Sequence, residues 1–139
     1  MPKLFLVEDN AADVDLLRLA LQHAGVDCDL VVFTNGREVI DHILHNAGPS
    51  PQSVPELIIL DLNLPKLEGL EVLRLIRDTP GFANVPVAVL SSSSSPRDRD
   101  KLSELRIAEY IVKPADLDEY LRIGETVQKL LQRGNSLTE

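Results

Sequence analysis

The sequence predicts an α/β domain with a parallel β-sheet at its centre and helices on both faces of the sheet. Short, continuously apolar segments of strand length alternate five times with longer segments whose apolar residues recur at helical spacing. Continuous apolar runs are typical of strands buried on both faces, and regular alternation with helices favours parallel strands joined by right-handed crossovers. The 139 residues suffice for one such domain, and no internal repeat suggests a second.

Two strand–helix units are predicted before the first long loop. Residues 3–9 predict a buried strand, and residues 10–25 a helix that begins at a capping asparagine and ends at a glycine. The second unit is a strand at 28–34 and a helix at 36–48. A segment rich in proline and serine at 49–56 predicts the longest loop.

Three further units are predicted in the rest of the chain. The apolar run 57–60 ends in Asp61, and a turn through Pro65 and Gly69 leads to a helix at 70–78. The remaining predicted elements are a strand at 85–90, a serine run at 91–95, a polar helix at 97–106, a short strand at 109–112 and a last helix from about 116 to 132.

Polar residues follow the predicted strands at their carboxyl ends. Glu8 and Asp9 follow the first strand, Asp61 the third, Ser91 the fourth and Lys113 the fifth. Such ends share one edge of a parallel sheet, where ligands bind. Three carboxylates there would repel one another and favour a cation, and oxygen-only ligands favour Mg2+ over Zn2+. A lysine and a hydroxyl beside them could stabilise a phosphoryl group on a carboxylate. An aspartate that follows a strand is also common simply because it stabilises a turn.

Four segments together resemble the receiver domains of two-component response regulators. They are LVED with its acidic pair, LDLNLP with Asp61, VLSSS, and YIVKP, and the resemblance covers nearly the whole chain. It implies a flavodoxin-like (βα)5 fold with strand order 2-1-3-4-5. We expect a receiver domain at 1–133, a short tail at 134–139 and no output domain.

The resemblance implies that Asp61 accepts a phosphoryl group from a histidine kinase in a Mg2+-dependent reaction. Asp9 and Asp61 would bind Mg2+ directly, Glu8 through water and Asn63 through its backbone carbonyl. Many receivers have paired aspartates where this chain has Glu8 and Asp9. The glutamate side chain is longer than that of an aspartate but carries the same negative charge.

The resemblance also implies a conformational switch. Ser91 would be the switch hydroxyl, unless the strand ends one residue later and Ser92 takes its place. Tyr110 would be the switch aromatic, Lys113 the phosphate partner, and the bond between Lys113 and Pro114 a cis peptide. The predicted helix at 97–106 has few apolar anchors, so we expect it to repack with Tyr110 on phosphorylation.

One face of the last helix is a candidate for homodimerisation. The spacing predicts that a stripe faces the sheet, formed by Leu117, Leu121, Gly124, Val127 and Leu131. Ile123 and Leu130 lie about 100° from the centre of this stripe, so we expect them to be exposed. They are either exposed to solvent without a function or form the contact of a homodimer.

Composition narrows the function class. With 14 basic and 22 acidic residues, the net charge of −8 argues against nucleic-acid binding. A single cysteine, Cys28, excludes an internal disulfide and favours a reducing compartment. The chain shows neither a signal peptide nor an apolar run of membrane length, so a soluble cytoplasmic protein is expected.

The details of the motifs are most similar to stand-alone regulators paired with bacterial phytochrome kinases. That resemblance implies a light-sensing histidine kinase as phosphodonor, output through protein contacts, and no enzymatic activity beyond the regulator's own phosphorylation and dephosphorylation. A haloacid-dehalogenase-type phosphatase would require an aspartate at the position of Asn63. The sequence contains no phosphate-binding glycine motif that would support nucleotide binding. A pseudo-receiver that binds partners without phosphorylation remains the alternative.

Overall fold

The structure, a computed structural model, describes residues 1–46, 54–64, 69–93 and 95–138. Within them, five parallel strands form one sheet in the order β2-β1-β3-β4-β5, as predicted. The strands are β1 (Lys3–Val7), β2 (Asp29–Phe33), β3 (Leu57–Asp61), β4 (Val87–Ser91) and β5 (Glu109–Val112). The helices are α1 (Ala11–His23), α2 (Gly36–His45), α3 (Gly69–Asp78), α4 (Pro96–Asp100) and α5 (Leu117–Thr138). Most of the predicted 49–56 loop and Pro65 lie outside the described residues.

The central strands are buried on both faces, which explains their continuous apolar runs. Every residue of β3 and β4 is buried. Alternate side chains of these strands enter two separate cores, because successive residues of a strand point to opposite faces. One core packs against α2 and α3, and the other against α1 and α5. The sheet therefore forms the middle layer of three.

The predicted helix at 97–106 is shorter than expected. α4 begins at the N-cap Ser95, whose Oγ accepts the Arg97 N–H, and it has a proline in its first turn. It ends after five residues, and a 3₁₀ helix follows at Ser103–Leu105. Of this segment's two large apolar residues, Leu102 is buried and Leu105 half-buried. Two apolar anchors do not give a helix a continuous apolar stripe, and the segment divides accordingly.

The side chain of Arg77, in the last turn of α3, connects two backbone segments through four carbonyl oxygens. Its guanidinium donates to the carbonyl oxygens of Ala83 and Val85 at 3.2 and 2.7 Å. It also donates to those of Leu105 and Arg106 at 2.7 and 3.0 Å. This arginine anchor thus fixes the chain after the 3₁₀ helix to the end of α3.

The predicted orientation of the last helix is wrong in part: Gly124 and Val127 of the predicted inward stripe are buried, but other positions differ. Ile123 and Leu130 are 3% and 6% exposed and pack in the core against α1, so they cannot form an exposed dimer face. Leu117, assigned to the inward stripe, is instead 50% exposed. The inward face is built on Tyr120, Ile123, Val127 and Leu130. Two overlapping apolar stripes fit helical spacing, and the buried aromatic Tyr120 marks the one that packs.

α5 also extends further than predicted, because its helical backbone continues to Thr138 and includes most of the predicted tail at 134–139. It packs closely along α1 at Gly124. A Cβ atom added at Gly124 would overlap the Ala20 carbonyl oxygen and lie 3.0 Å from the Ala24 Cβ. Only glycine therefore allows the two helix backbones to approach this closely.

No helix in the described ranges combines the length and the apolar character needed to cross a bilayer.

Candidate phosphoacceptor site

The fold brings the predicted site residues together at the carboxyl edge of the sheet. Glu8 and Asp9 directly follow β1, Asp61 is the last residue of β3, and Lys113 directly follows β5. The carboxylates of Glu8, Asp9 and Asp61 each offer an oxygen, and these oxygens lie within 4.8 Å of one another. Glu8 and Asp61 are 1% exposed, whereas Asp9 is exposed. The cluster therefore combines two buried carboxylates with one that faces solvent.

The donor set of this cluster fits a small hard divalent cation. Its ligands are carboxylate oxygens only, which Mg2+ prefers over the nitrogen and sulfur ligands typical of Zn2+. Oxygens on opposite sides of a Mg2+ ion lie about 4 Å apart, since each binds at about 2.1 Å. The observed spread of the three oxygens is compatible with that arrangement after a small adjustment.

Lys113 neutralises part of the cluster. Its Nζ lies 3.0 Å from Glu8 Oε1, 3.0 Å from Asp61 Oδ2 and 3.2 Å from Asp13 Oδ2. An ammonium group has three N–H donors, so three carboxylates can each receive one. The single cation thus connects β1, β3 and α1.

Burial and charge shift the pKa values of two of these groups. Desolvation raises the pKa of Glu8 to about 7, and the hydrogen bond and negative charge of Asp61 add to it while Lys113 opposes it. Burial alone would lower the pKa of Lys113, but its bonds to Glu8 and Asp61 outweigh that effect and raise it. Lys113 is therefore a permanent cation at neutral pH.

The segment after Asp61 is held by that carboxylate. Asp61 Oδ1 accepts the Asn63 backbone N–H at 2.9 Å, and the Asn63 side-chain amide donates to Ser92 Oγ at 3.0 Å. Asp61 is therefore also a turn-forming residue, which is the other role that its sequence position predicts. One oxygen of Asp61 serves the turn, and the other contacts Lys113.

The two candidate switch serines have different environments. Ser91 is the last residue of β4, is 3% exposed, and accepts the Ser93 N–H at 3.1 Å through Oγ. Ser92 is exposed and bonded to Asn63. The strand therefore ends at Ser91, the first of the two candidates, and the Ser91 hydroxyl is buried.

Tyr110 is buried on β5, with its hydroxyl directed to the serine segment. The hydroxyl donates to the Ser93 carbonyl oxygen at 2.8 Å, and the Arg99 guanidinium carbon lies 4.9 Å from the ring centroid. Tyr110 thus contacts both the segment after β4 and the short helix α4.

One geometric prediction fails. No cis peptide bond occurs among the described residues, so the bond between Lys113 and Pro114 is trans. The trans form is intrinsically favoured before proline by about 0.5–1 kcal/mol, and Lys113 reaches its three carboxylates in this form.

Sequence reasoning missed Asp13 as a neighbour of Lys113. The two residues are 100 positions apart, and nothing in their local sequence connects them. The available signal was the position of Asp13 three residues after the N-cap Asn10, which places it in the first turn of α1 at the edge where β1 ends.

Comparison with known proteins decides the family. The family model described as the response regulator receiver domain matches residues 4–123. The chain belongs to the response regulator receiver family. Receiver domains are signalling modules rather than classical enzymes, and the five-stranded fold described above is theirs.

Several relatives of this receiver are known by sequence. It is 31% identical over 127 residues to a probable methanogenesis regulatory protein, FilR2, of Methanothrix harundinacea, covering 91% of this chain and 81% of the relative. It is 30% identical over 125 residues to response regulator Rcp1 of a Synechocystis species, covering 90% and 85% of the two chains.

Solved structures give the same result. The phosphorylated cyanobacterial phytochrome response regulator RcpA matches with a TM-score of 0.80 and 35% identity over 94% of each chain. The Mn2+-bound form of Rcp1 matches with a TM-score of 0.79 and 30% identity over 92% of each chain. The receiver thus has homologues among phytochrome response regulators.

Proposed function

We propose that this receiver accepts a phosphoryl group from a histidine kinase on Asp61, in a Mg2+-dependent reaction, and signals through protein contacts. The observation that carries the proposal is the contact of the Lys113 ammonium with the buried Asp61 carboxylate, 3.0 Å away, beside the acidic cluster of Glu8, Asp9 and Asp61. A nucleophilic carboxylate, a fixed cation and a set of oxygen ligands are the parts that phosphoryl transfer to aspartate needs.

The transfer forms one bond and breaks another. A carboxylate oxygen of Asp61 attacks phosphorus, and the bond between phosphorus and the donor's imidazole nitrogen breaks. The nitrogen keeps the electron pair and can take up a proton. Lys113 donates to the transferred oxygens as their charge develops, and its Nζ already lies beside Asp61.

Glu8, Asp9, Asp61 and the backbone carbonyl of Asn63 would hold Mg2+ in this receiver. The ion supplies positive charge for the transferred phosphoryl oxygens and relieves the repulsion among the carboxylates. The related regulator Rcp1 has a Mn2+-bound form, which supports a divalent cation here as well.

The serine segment and Tyr110 provide a route from the site to the surface. The bond from the Ser93 N–H uses a lone pair of Ser91 Oγ, so the Ser91 O–H remains able to donate to a phosphoryl oxygen. Tyr110 is bonded to the Ser93 carbonyl, so a shift of Ser91 displaces the tyrosine's acceptor. We expect Tyr110, Arg99 and α4 to repack together, and the Tyr110 NMR signals to shift on phosphorylation. Signals that stay unchanged would remove this switch from the proposal.

Mass spectrometry of the intact protein tests the phosphoacceptor. The wild type, incubated with acetyl phosphate and Mg2+, should gain one phosphoryl group, and omission of Mg2+ should prevent it. Asp61→Asn should gain none, whereas the matched variant Asp41→Asn, at an exposed position of α2, should behave as the wild type. Absence of the adduct from the wild type under every condition would favour a pseudo-receiver that acts without phosphorylation.

The phosphodonor is proposed to be a phytochrome-type histidine kinase. The support is the similarity to RcpA and Rcp1, and to a response regulator described as acting in red light signalling of R. palustris, with a TM-score of 0.77 and 26% identity over 91% of each chain. Phosphotransfer from a purified phytochrome kinase should occur in one of its two light states and not in the other. Transfer that is absent in both states, while acetyl phosphate still reacts, would redirect the search to another kinase.

A further inference from the structure

Asp13 accepts a hydrogen bond from the third N–H of the Lys113 ammonium group, although it was not among the predicted site residues. Its Oδ2 accepts from Nζ at 3.2 Å, only 0.2 Å longer than the contacts that Nζ makes with Glu8 and Asp61 at 3.0 Å. An ammonium group has three donors, and all three are taken. A phosphoryl group on Asp61 therefore adds acceptor oxygens to a cation that has no donor left.

The local structure holds Asp13 in place. Its backbone N–H donates to the side chain of Asn10, the N-cap of α1, at 3.2 Å. Its carbonyl oxygen lies 3.5 Å from the hydroxyl of Tyr120, which is buried on α5. The side chain thus starts from a restrained backbone and reaches Lys113 from the first turn of α1.

Burial distinguishes Asp13 from the other two partners of Lys113. The side chains of Glu8 and Asp61 are 1% exposed, whereas that of Asp13 is 23% exposed. A buried carboxylate that loses its cation stays desolvated, but a partly exposed one can turn to water at little cost. Asp13 is therefore the partner that can yield its place to an incoming phosphoryl oxygen.

We propose that Asp13 is a positioning residue that holds Lys113 in the unphosphorylated receiver and competes with the phosphoryl group for the ammonium. This inference rests on the proposed function of Asp61. The competition slows phosphoryl uptake, because the contact between Asp13 and Lys113 breaks before the cation can serve the transferred oxygens fully. The same contact keeps the cation beside Asp61 before the donor arrives.

The rate of phosphoryl uptake from acetyl phosphate, followed by intact-protein mass spectrometry, tests the competition. Asp13→Asn should take up the phosphoryl group about two- to five-fold faster than the wild type, the effect expected of one partly exposed ion pair. Asp13→Glu keeps a carboxylate within reach of Lys113 and should return the rate to that of the wild type. Asp15→Asn, which removes an exposed charge from the same helix, should leave the rate unchanged.

Salt separates local competition from general repulsion of the anionic donor. At about 1 M salt the screening length is about 3 Å, so an effect of charge at a distance disappears while a direct contact persists. The faster uptake by Asp13→Asn should therefore persist at high salt. A rate equal to or below that of the wild type, or a gain that disappears at high salt, would overturn the proposal.

The motion of the Lys113 side chain gives a readout that needs no phosphorylation. The NMR order parameter of its ammonium group should fall in Asp13→Asn and stay unchanged in Asp15→Asn. An unchanged order parameter in Asp13→Asn would refute the positioning role. If the wild type takes up no phosphoryl group, the proposed function fails, and this measurement still decides whether Asp13 positions Lys113.

Discussion

Replacement of Gly124 by alanine tests the packing of α5 on α1. The added Cβ would overlap the Ala20 carbonyl oxygen and lie 2.7 Å from the Ala20 carbonyl carbon. These are backbone atoms inside a helix, so no side-chain rotation can relieve the overlap. The two helices would have to separate by about 1 Å along a closely packed contact, which forces strain of the kind that overpacking produces.

Two terms of opposite sign determine the magnitude. Overpacking of a well-packed core costs about 1–3 kcal/mol, and a contact this short with backbone belongs at the upper end. Alanine is favoured over glycine inside a helix by about 1 kcal/mol, which offsets part of the cost. We therefore expect Gly124→Ala to lower the free energy of unfolding by about 2 kcal/mol.

Urea unfolding followed by circular dichroism measures this difference. The matched control is Glu125→Ala, which introduces the same side chain at the next, exposed position of α5 and should change stability by less than about 0.5 kcal/mol. A Gly124→Ala protein as stable as the wild type, or more stable, would show that α1 and α5 can separate freely. Close approach of the two backbones would then not be what requires glycine at position 124.

Three further predictions concern single side chains. Arg77→Lys should lower the free energy of unfolding in urea by about 2 kcal/mol, since one ammonium cannot reach four carbonyl oxygens; an unchanged midpoint would contradict the anchor. Burial, with smaller effects of Lys3 and His45, lowers the pKa of His42, so its NMR titration midpoint should lie below 6.5. His42 then binds a proton more tightly in the unfolded chain than in the folded protein. The stability contributed by neutral His42 is therefore present above about pH 6.5 and is lost as pH falls through the folded-state pKa. A titration midpoint at or above 6.5 would contradict the lowered pKa. Burial, reinforced by Asp29, raises the pKa of the Cys28 thiol, so it should react with Ellman's reagent more slowly in the folded protein than in urea, and equal rates would contradict this.

The sheet could be predicted because its strands carry an unambiguous signal. Residues 57–60 are apolar without interruption, and a strand buried on both faces requires that pattern. Asp61 and Lys113 could be placed at one edge for the same reason, since parallel topology brings the carboxyl ends of strands together. The structure puts their side chains 3.0 Å apart.

The elements that sequence reasoning misplaced depend on tertiary contacts. The inward face of α5 was assigned to a stripe that includes Leu117, but Tyr120, Ile123 and Leu130 pack against α1. Periodicity alone cannot choose between two apolar stripes on one helix, because the choice depends on the neighbouring surface. The contact between Asp13 and Lys113 spans 100 positions, and the sequence indicates only that Asp13 lies in the first turn of α1, near the end of β1.

The arginine anchor recognises backbone rather than side chains. All four acceptors of Arg77 are peptide carbonyl oxygens, and every amino acid supplies one. The side chains at 83, 85, 105 and 106 can therefore be exchanged without loss of an acceptor, as long as the local backbone conformation is kept. Arg106, with a φ of 54°, is the exception, because few residues adopt that conformation readily. Apart from position 106, the Arg77 hydrogen bonds between α3 and the segment before β5 place no requirement on the exposed side chains of this region. Those side chains can therefore differ between related proteins that bind different partners.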